Sequence, residues 1–292
     1  MKKVLPITYY LDYSFYPERV RKSYLREAAV NGMKHVVLNE RMVGQIMRDP
    51  AFAEVLQQEV AGAGLSFLDS HAPFGPAIDM NSPFEDEHRL LVLRHKLHLN
   101  IARLMDVDTM TIHVGNDYRF PEFPLEKHVE RIFRMLDAIL PEAEACKVTV
   151  CIENIWLQTN TPEMLIRFKE KFPSEYLGFC FDSGHANIMN NGRHHSGSRA
   201  HDGWQAMGKA MPDWDDRILE KMLPYIVTCH LHDNMGAQDE HNLPGRGNVN
   251  WDHISKVLPS APNIKLLQSE VIPLRNSVAL KELSEKFNLI FG

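Results

Sequence analysis

The sequence predicts an α/β protein built as a single (β/α)8 TIM barrel. Three observations carry the prediction. Short β-branched or aromatic runs alternate with longer amphipathic segments eight times along 292 residues. Neither a G-x-G-x-x-G nor a G-x-x-x-x-G-K-S/T loop follows the early strands, as an open doubly wound nucleotide-binding sheet would require. Polar endings are spread over six strands instead of gathering at one switch point.

The strands fall in order at Val4–Tyr10, His35–Asn39, Leu65–Ser70, Thr109–Val114, Val148–Glu153, Leu177–Phe181, Ile226–Leu231 and Ile264–Glu270. The helical signal is clearest from Glu126 to Leu140. There Val129, Ile132, Leu136, Ile139 and Leu140 recur at helical spacing, while Glu130, Arg131, Arg134 and Asp137 fall elsewhere. No interdomain linker interrupts the pattern, so residues 1–292 read as one domain, a size that such barrels commonly reach. The longest irregular stretch, Asn190 to Gly203, reads as a βα loop on the functional face.

Apolar residues make up 44% of the chain and charged residues 24%, which excludes disordered and fibrous classes. Acidic residues outnumber basic ones, 38 to 32, with no Lys/Arg-rich tract, which removes the simplest electrostatic case for a nucleic-acid partner. The run from Met1 to Leu11 is short and interrupted by Pro6, so it reads as a first strand and not as a signal peptide or membrane span; a cytoplasmic location is the expectation. Cys146, Cys151, Cys180 and Cys229 form no C-x-x-C pair and read as small core residues.

From the third strand onward every strand ends in a potential metal ligand. The endings are Ser70-His71-Ala72-Pro73, Ile112-His113-Val114-Gly115, Ile152-Glu153-Asn154, Phe181-Asp182-Ser183-Gly184-His185, Cys229-His230-Leu231-His232-Asp233 and Ser269-Glu270-Val271. Because alternate side chains face opposite sides of a strand, parity tests whether these endings converge. Glu153 shares its face with Cys151 and Thr149, Asp182 with Cys180 and Gly178, and His113 with Thr111 and Thr109. The opposite faces hold Ile152, Val150 and Val148, or Phe181, Phe179 and Leu177, bulky residues suited to an outer ring of helices. The ligand types therefore point into one barrel mouth. Buried carboxylates at that density repel one another and need cations to neutralise them. Mixed imidazole and carboxylate donors suit a divalent metal such as Zn²⁺ or Mn²⁺. After the seventh strand, Asp239-Glu240-His241 adds two more donors, followed by Pro244-Gly245-Arg246-Gly247 and Trp251. His194, His195 and His201 lack strand support and read as solvated or substrate-facing.

From the third strand to the eighth, these motifs resemble the xylose isomerase-like barrels, a family that includes sugar isomerases and epimerases as well as endonuclease IV-type nucleases. The resemblance implies a common metal site on Glu153, Asp182, His230 and Glu270. The nuclease branch adds positions matching His71, His113, His185, Asp239 and His241, which together hold a three-metal cluster, so the resemblance implies one to three ions here. All nine residue types are present, yet His232 stands where the nucleases usually have Asn, and Arg246 stands where the family often has an acidic residue. The segments around His230 and Asp239 look more like the isomerase/epimerase branch. His230 and His232 share parity, and the resemblance favours His230 as the ligand. It further implies a carbohydrate substrate, Glu153 and Glu270 as catalytic acid–base residues, and substrate contacts from His71, His185, Arg246 and Trp156 or Trp251. The alternative it implies is metal-cluster hydrolysis of abasic DNA. Dimers and tetramers are both usual in the family, so a homo-oligomer is compatible with it.

Overall fold

The computed structural model of the protein describes residues 4–189, 197–211 and 217–292. Eight parallel strands close on themselves in sequence order: β1 (Ile7–Tyr9), β2 (His35–Leu38), β3 (Ser66–His71), β4 (Thr109–Ile112), β5 (Thr149–Glu153), β6 (Leu177–Asp182), β7 (Ile226–Leu231) and β8 (Leu267–Ser269), with β8 pairing β1. The closed ring makes this a TIM barrel, as the alternation predicts. The first and last strands are shorter than their apolar runs. Only Ile7–Tyr9 and Leu267–Ser269 lie in register against one another, which leaves Val4 and Ile264 outside the ladder.

Around the ring run α1 (Glu18–Val30), α2 (Glu40–Arg48), α3 (Phe52–Gly62), α4 (His88–Leu104), α5 (Leu125–Cys146), α6 (Pro162–Lys171), α7 (Ser183–Met189), α8 (Arg199–Ala206), α9 (Ile218–Met222), α10 (Trp251–Val257) and α11 (Leu280–Phe291). Local chemistry sets several of their starts. Asn39 caps α2 by accepting from the Met42 N–H at 3.0 Å, and Thr161 caps α6 with Pro162 at the first helical position, where no N–H is needed. The 22-residue α5 extends past its predicted end through Pro141 and stops where Lys147 adopts a left-handed φ of 58°. It buries Val129, Ile132, Leu136, Ile139 and Leu140 on one face, the stripe read from the sequence. No helix among the described residues is long and apolar enough to cross a membrane.

Strand parity holds in the folded barrel. Val150, Ile152, Phe179 and Phe181 join the main core beneath the helices, whereas Cys151 and Cys180 form a separate small cluster with Val227. All four cysteines are buried thiols. Gly178 is required here, since a Cβ would lie 2.4 Å from Val227 Cγ2, next to the register shift at Phe179/Cys180. Alongside this layer Asp69 accepts from the hydroxyls of Thr109 (2.6 Å) and Thr228 (2.5 Å), tying β3 to β4 and to β7. This fully buried carboxyl supports the floor of the site.

Candidate metal centre and active site

At the C-terminal ends of the strands the barrel interior turns acidic. Glu153 ends β5, Asp182 ends β6, His230 lies near the end of β7, and Glu270 follows β8. His230 Nδ1 lies 2.8 Å from Glu153 Oε1, 3.3 Å from Glu270 Oε1 and 3.9 Å from Asp182 Oδ2. One donor atom from each of the four residues falls within 4.8 Å of the others. Two donors on one ion at about 2.1 Å, at tetrahedral or octahedral angles, are separated by roughly 3 to 3.5 Å; the Glu270 spacing falls in that range, whereas His230 and Glu153 are hydrogen-bonded and Asp182 stands slightly farther out.

The surrounding histidines are oriented by backbone. The Nδ1–H groups of His71, His185 and His241 donate to the carbonyls of Ala72 (2.7 Å), Asn154 (2.9 Å) and Glu270 (3.0 Å). A carbonyl only accepts, so each ring keeps a proton on Nδ1 and turns Nε2 inward, the orientation that a metal-binding imidazole takes. His113 Nε2 lies 2.7 Å from Glu153 Oε2 and His71 Nε2 lies 3.9 Å from it. Glu153 Oε2 has no aligned hydrogen-bond donor, and Asp239 Oδ1 is likewise buried without one. Asp239 stands between His241 Nε2 (3.2 Å) and His185 Nε2 (3.6 Å). Asn154 holds β5 and β6 together at this level, accepting from Asp182 N–H at 2.8 Å and donating to Asp182 O at 3.1 Å.

The electrostatics express the same crowding. Burial alone would lift the Glu153 carboxyl, but the charges of His230 and His113 prevail and hold it well below the usual carboxylate range. Glu270 goes the other way: burial, reinforced by the charges of Asp182, Glu153 and Asp239, pushes it well above that range. Burial depresses His185, yet Asp182, Asp239 and Glu153 outweigh it and raise the imidazole to about 10. Four carboxylates thus share one buried volume, and the unpartnered oxygens of Glu153 and Asp239, with the inward-turned imidazoles, fit a divalent cation.

Eight of the nine sequence-predicted ligands therefore converge around Glu153, namely His71, His113, Asp182, His185, His230, Asp239, His241 and Glu270. His232 joins them, fully buried, with Nε2 3.2 Å from Asp182 Oδ2. Above them opens a cavity of about 620 Å³ whose floor includes Glu153, His185, Asp239 and Glu270. Its walls carry Trp156, packed edge-on to His185 at 5.0 Å, and further up Phe74, Tyr118, Arg119 and Arg199.

Arg246 does not join the site. Its guanidinium turns away to the Asn276 carbonyl and the Glu282 carboxylate, both at 2.9 Å, and it does not line the cavity. The reason is the tight turn at Gly245, which holds its N–H on Asp233 and sends the next side chain outward toward α11. Trp251 is also diverted, because its indole N–H donates to Asp233 Oδ2 at 2.9 Å beneath the loop. His201 lies on α8 beside Asp202, while His194 and His195 lie outside the described residues. Sequence reasoning missed Phe74, Asn116, Tyr118, Arg119, Arg199 and Asp202 as cavity walls. Phe74 carried one signal, an aromatic placed directly after a ligand-bearing strand end.

Known proteins resemble this chain in fold. A D-tagatose 3-epimerase-like protein superposes with a TM-score of 0.70 at 20% identity, covering 97% of each chain. The structure of L-ribulose 3-epimerase superposes with a TM-score of 0.71 at 14% identity, covering 99% of this chain and 95% of its own. An uncharacterised protein of Sinorhizobium fredii is 26% identical over 269 residues, spanning 84% of this chain and 78% of its own length. With its family model matched over residues 25–265 and its donor residues gathered at the mouth of a closed barrel, the chain belongs to the xylose isomerase-like TIM barrel family.

Proposed function

We propose that the protein is a divalent-metal-dependent sugar isomerase or epimerase that works by proton transfer through a metal-stabilised enediolate. The observation that carries this reading is the meeting of Glu153, Asp182, His230 and Glu270 at the floor of a cavity wide enough for a sugar. The fold's likeness to sugar 3-epimerases supports it. Glu153, Asp182, His230 and Glu270 would hold the ion, with Zn²⁺ or Mn²⁺ matching the mixed donors. When bound, it supplies Lewis acidity that polarises a carbonyl and a neighbouring hydroxyl and so acidifies the C–H between them.

The chain's own residues do the remainder. Glu153 at the end of β5 and Glu270 just beyond β8 both approach His230 Nδ1 and act as the pair that removes and returns the proton. Two carboxylates on opposite faces of one carbon permit return from the face opposite removal, which is epimerisation. His185 and His71 bind substrate hydroxyls, and the Trp156 ring covers the sugar's apolar face.

The test is solvent exchange. Metal-replete protein incubated in D2O with unphosphorylated ketopentoses and ketohexoses is expected to wash deuterium into one C–H position and to yield an epimer or aldose, both abolished by EDTA. Failure to exchange any proton across ketoses, aldoses and their phosphates overturns the reading.

A second reading, phosphodiester hydrolysis by a metal cluster, is favoured by one observation, the approach of His71 and His113 to Glu153. It requires incision of abasic duplex DNA with affinity that falls steeply with salt, which a chain of net charge −6 would achieve only through a local basic patch.

A further inference from the structure

We infer that the outer face of α4 is a docking seam for a helix of another protein, one whose apolar stripe is flanked by glutamates or aspartates. The seam lies on the barrel's outer wall, and none of its residues lines the cavity above the metal centre.

α4 is apolar on two faces where packing against the barrel needs one. Its inner face buries Leu91, His95, His98, Leu99, Ile101 and Ala102. On the outer face Leu90, Leu93, Leu97 and Leu104 are 49%, 64%, 44% and 57% exposed. A helix that merely covers a core turns polar residues outward, and a line of bare leucines marks an interaction surface. Leu90, Leu97 and Leu104 recur at every seventh residue with Leu93 between the first two, which is the spacing of the a and d positions in a two-helix seam. Asn100 takes the second d position, a polar break of the kind that fixes register. From Leu90 to Leu104 the stripe runs about 21 Å, the length of roughly four turns of a partner helix.

The charges beside the stripe select the occupant. Arg89, Lys96 and Arg103 repeat at the same seven-residue step in the g positions, and Arg94 stands on the other edge at e. Within α4 these flanks are all positive. Arg89 and Arg103 are exposed and pair with no carboxylate among the described residues, Lys96 reaches Glu142 at 3.9 Å, and Arg94 donates to the Ala77 carbonyl at 2.8 Å. Flanking charges of this kind set which helices pair and in which direction. A second copy of α4 laid antiparallel brings Arg89 against Arg103 and Lys96 against its own counterpart, so self-pairing is repelled. Asp86 and Glu87 before α4 and Asp106 after it stand exposed at the two ends, where a flat anionic membrane would meet them together with the arginines. A single acidic helix lying along the stripe meets the leucines and the cations alone.

The experiment uses the full chain and a fluorescein-labelled synthetic peptide of three heptads, with leucine at a and d and glutamate at e and g, read by fluorescence anisotropy. A twin peptide carries lysine at e and g. Wild type is expected to bind the glutamate peptide about tenfold more tightly than the lysine peptide, with an affinity that weakens as salt rises. Leu93→Asn combined with Leu97→Asn, at exposed positions the core does not use, is expected to lose about tenfold or more of that affinity at an unchanged melting temperature. Arg89→Glu combined with Arg103→Glu is expected to turn the preference to the lysine peptide. Equal affinity for the two peptides, binding of neither, or a leucine variant that binds like wild type overturns the inference. So does a wild-type dimer in sedimentation velocity that the leucine variant dissolves, which gives the seam to a second copy, or flotation with phosphatidylserine vesicles that the same variant loses, which gives it to a membrane.

Discussion

His230 Nδ1 and Glu153 Oε1 meet at 2.8 Å across 77 residues of chain, one from β7 and the other from β5, both sealed from solvent. Neither strand alone contains a site. Their contact places the carboxylate that the proposed reaction uses as acid–base beside an imidazole that holds it ionised.

Glu153→Gln keeps the shape and removes the charge. Turnover on the sugar identified by solvent exchange is expected to fall about 100- to 10 000-fold, the usual worth of a general acid–base group. Circular dichroism should match wild type. A variant retaining more than a tenth of wild-type turnover would assign the proton transfer elsewhere.

Asp233 organises the loop that delivers Asp239 and His241. Its carboxylate accepts from the N–H groups of Asn234 (2.9 Å), Gly245 (2.7 Å) and Val249 (3.1 Å) and from the Trp251 indole (2.9 Å). Asp233→Ala removes the acceptor shared by four donors, of which the Asn234 N–H is buried and the other three are part-buried. Urea unfolding is expected to show a loss of about 3 kcal/mol or more, together with weaker metal retention.

Gly184→Ala tests the packing behind His232 without touching a ligand. The added Cβ would sit 2.0 Å from the ring's Cε1, so the ring must shift. Overpacking of this kind typically costs about 1 to 3 kcal/mol. The expected result is a lowered melting temperature with metal affinity reduced at least tenfold. Unchanged metal binding would show that the ring's position is immaterial.

Acid sensitivity should come from α4, away from the metal centre. Burial lowers His95 to about 4 and His98 to about 3, since both are sealed against the protein and His98 has neither ring nitrogen paired. An unfolded chain takes up these protons near 6.5 while the folded one refuses them. Stability is therefore whole above that pH and is lost as pH falls from about 6.5 toward the folded values, with up to about 1.4 kcal/mol per pH unit from each histidine. Chemical denaturation of His98→Leu between pH 7 and pH 4 is expected to show a shallower decline than wild type. An identical slope in the two proteins would remove His98 from the account.

Much of this molecule could be read in advance because its information is local. Glu153, Cys151 and Thr149 share a face for the same reason in any strand, the alternation of side chains along an extended backbone, and so the inward direction of the ligands was legible before folding. The stripe along α5 was legible from its 3.6-residue period. The cavity walls were not, because Phe74 and Tyr118 lie on connections whose paths no period constrains, and Arg199 opens the short α8 inserted between β6 and β7. Arg246 misled because a turn's sequence announces a bend without giving the direction of its exit. The glycine beside it is tied to Asp233, and the guanidinium goes to Glu282 on α11.

By itself the sequence determined the fold class, the order of the strands and the set of donor residues facing the barrel's interior. Tertiary structure alone decided which of them meet. The pairing of His230 with Glu153, the placing of His232 between Asp182 and Asp239, and the exclusion of Arg246 and Trp251 depend on the stagger of strands around the closed ring. That stagger is set by bulges such as the shift between Phe179 and Cys180, and by loops anchored across dozens of residues. Side-chain direction is a property of a few adjacent dihedrals, whereas proximity between strands is a property of the whole barrel.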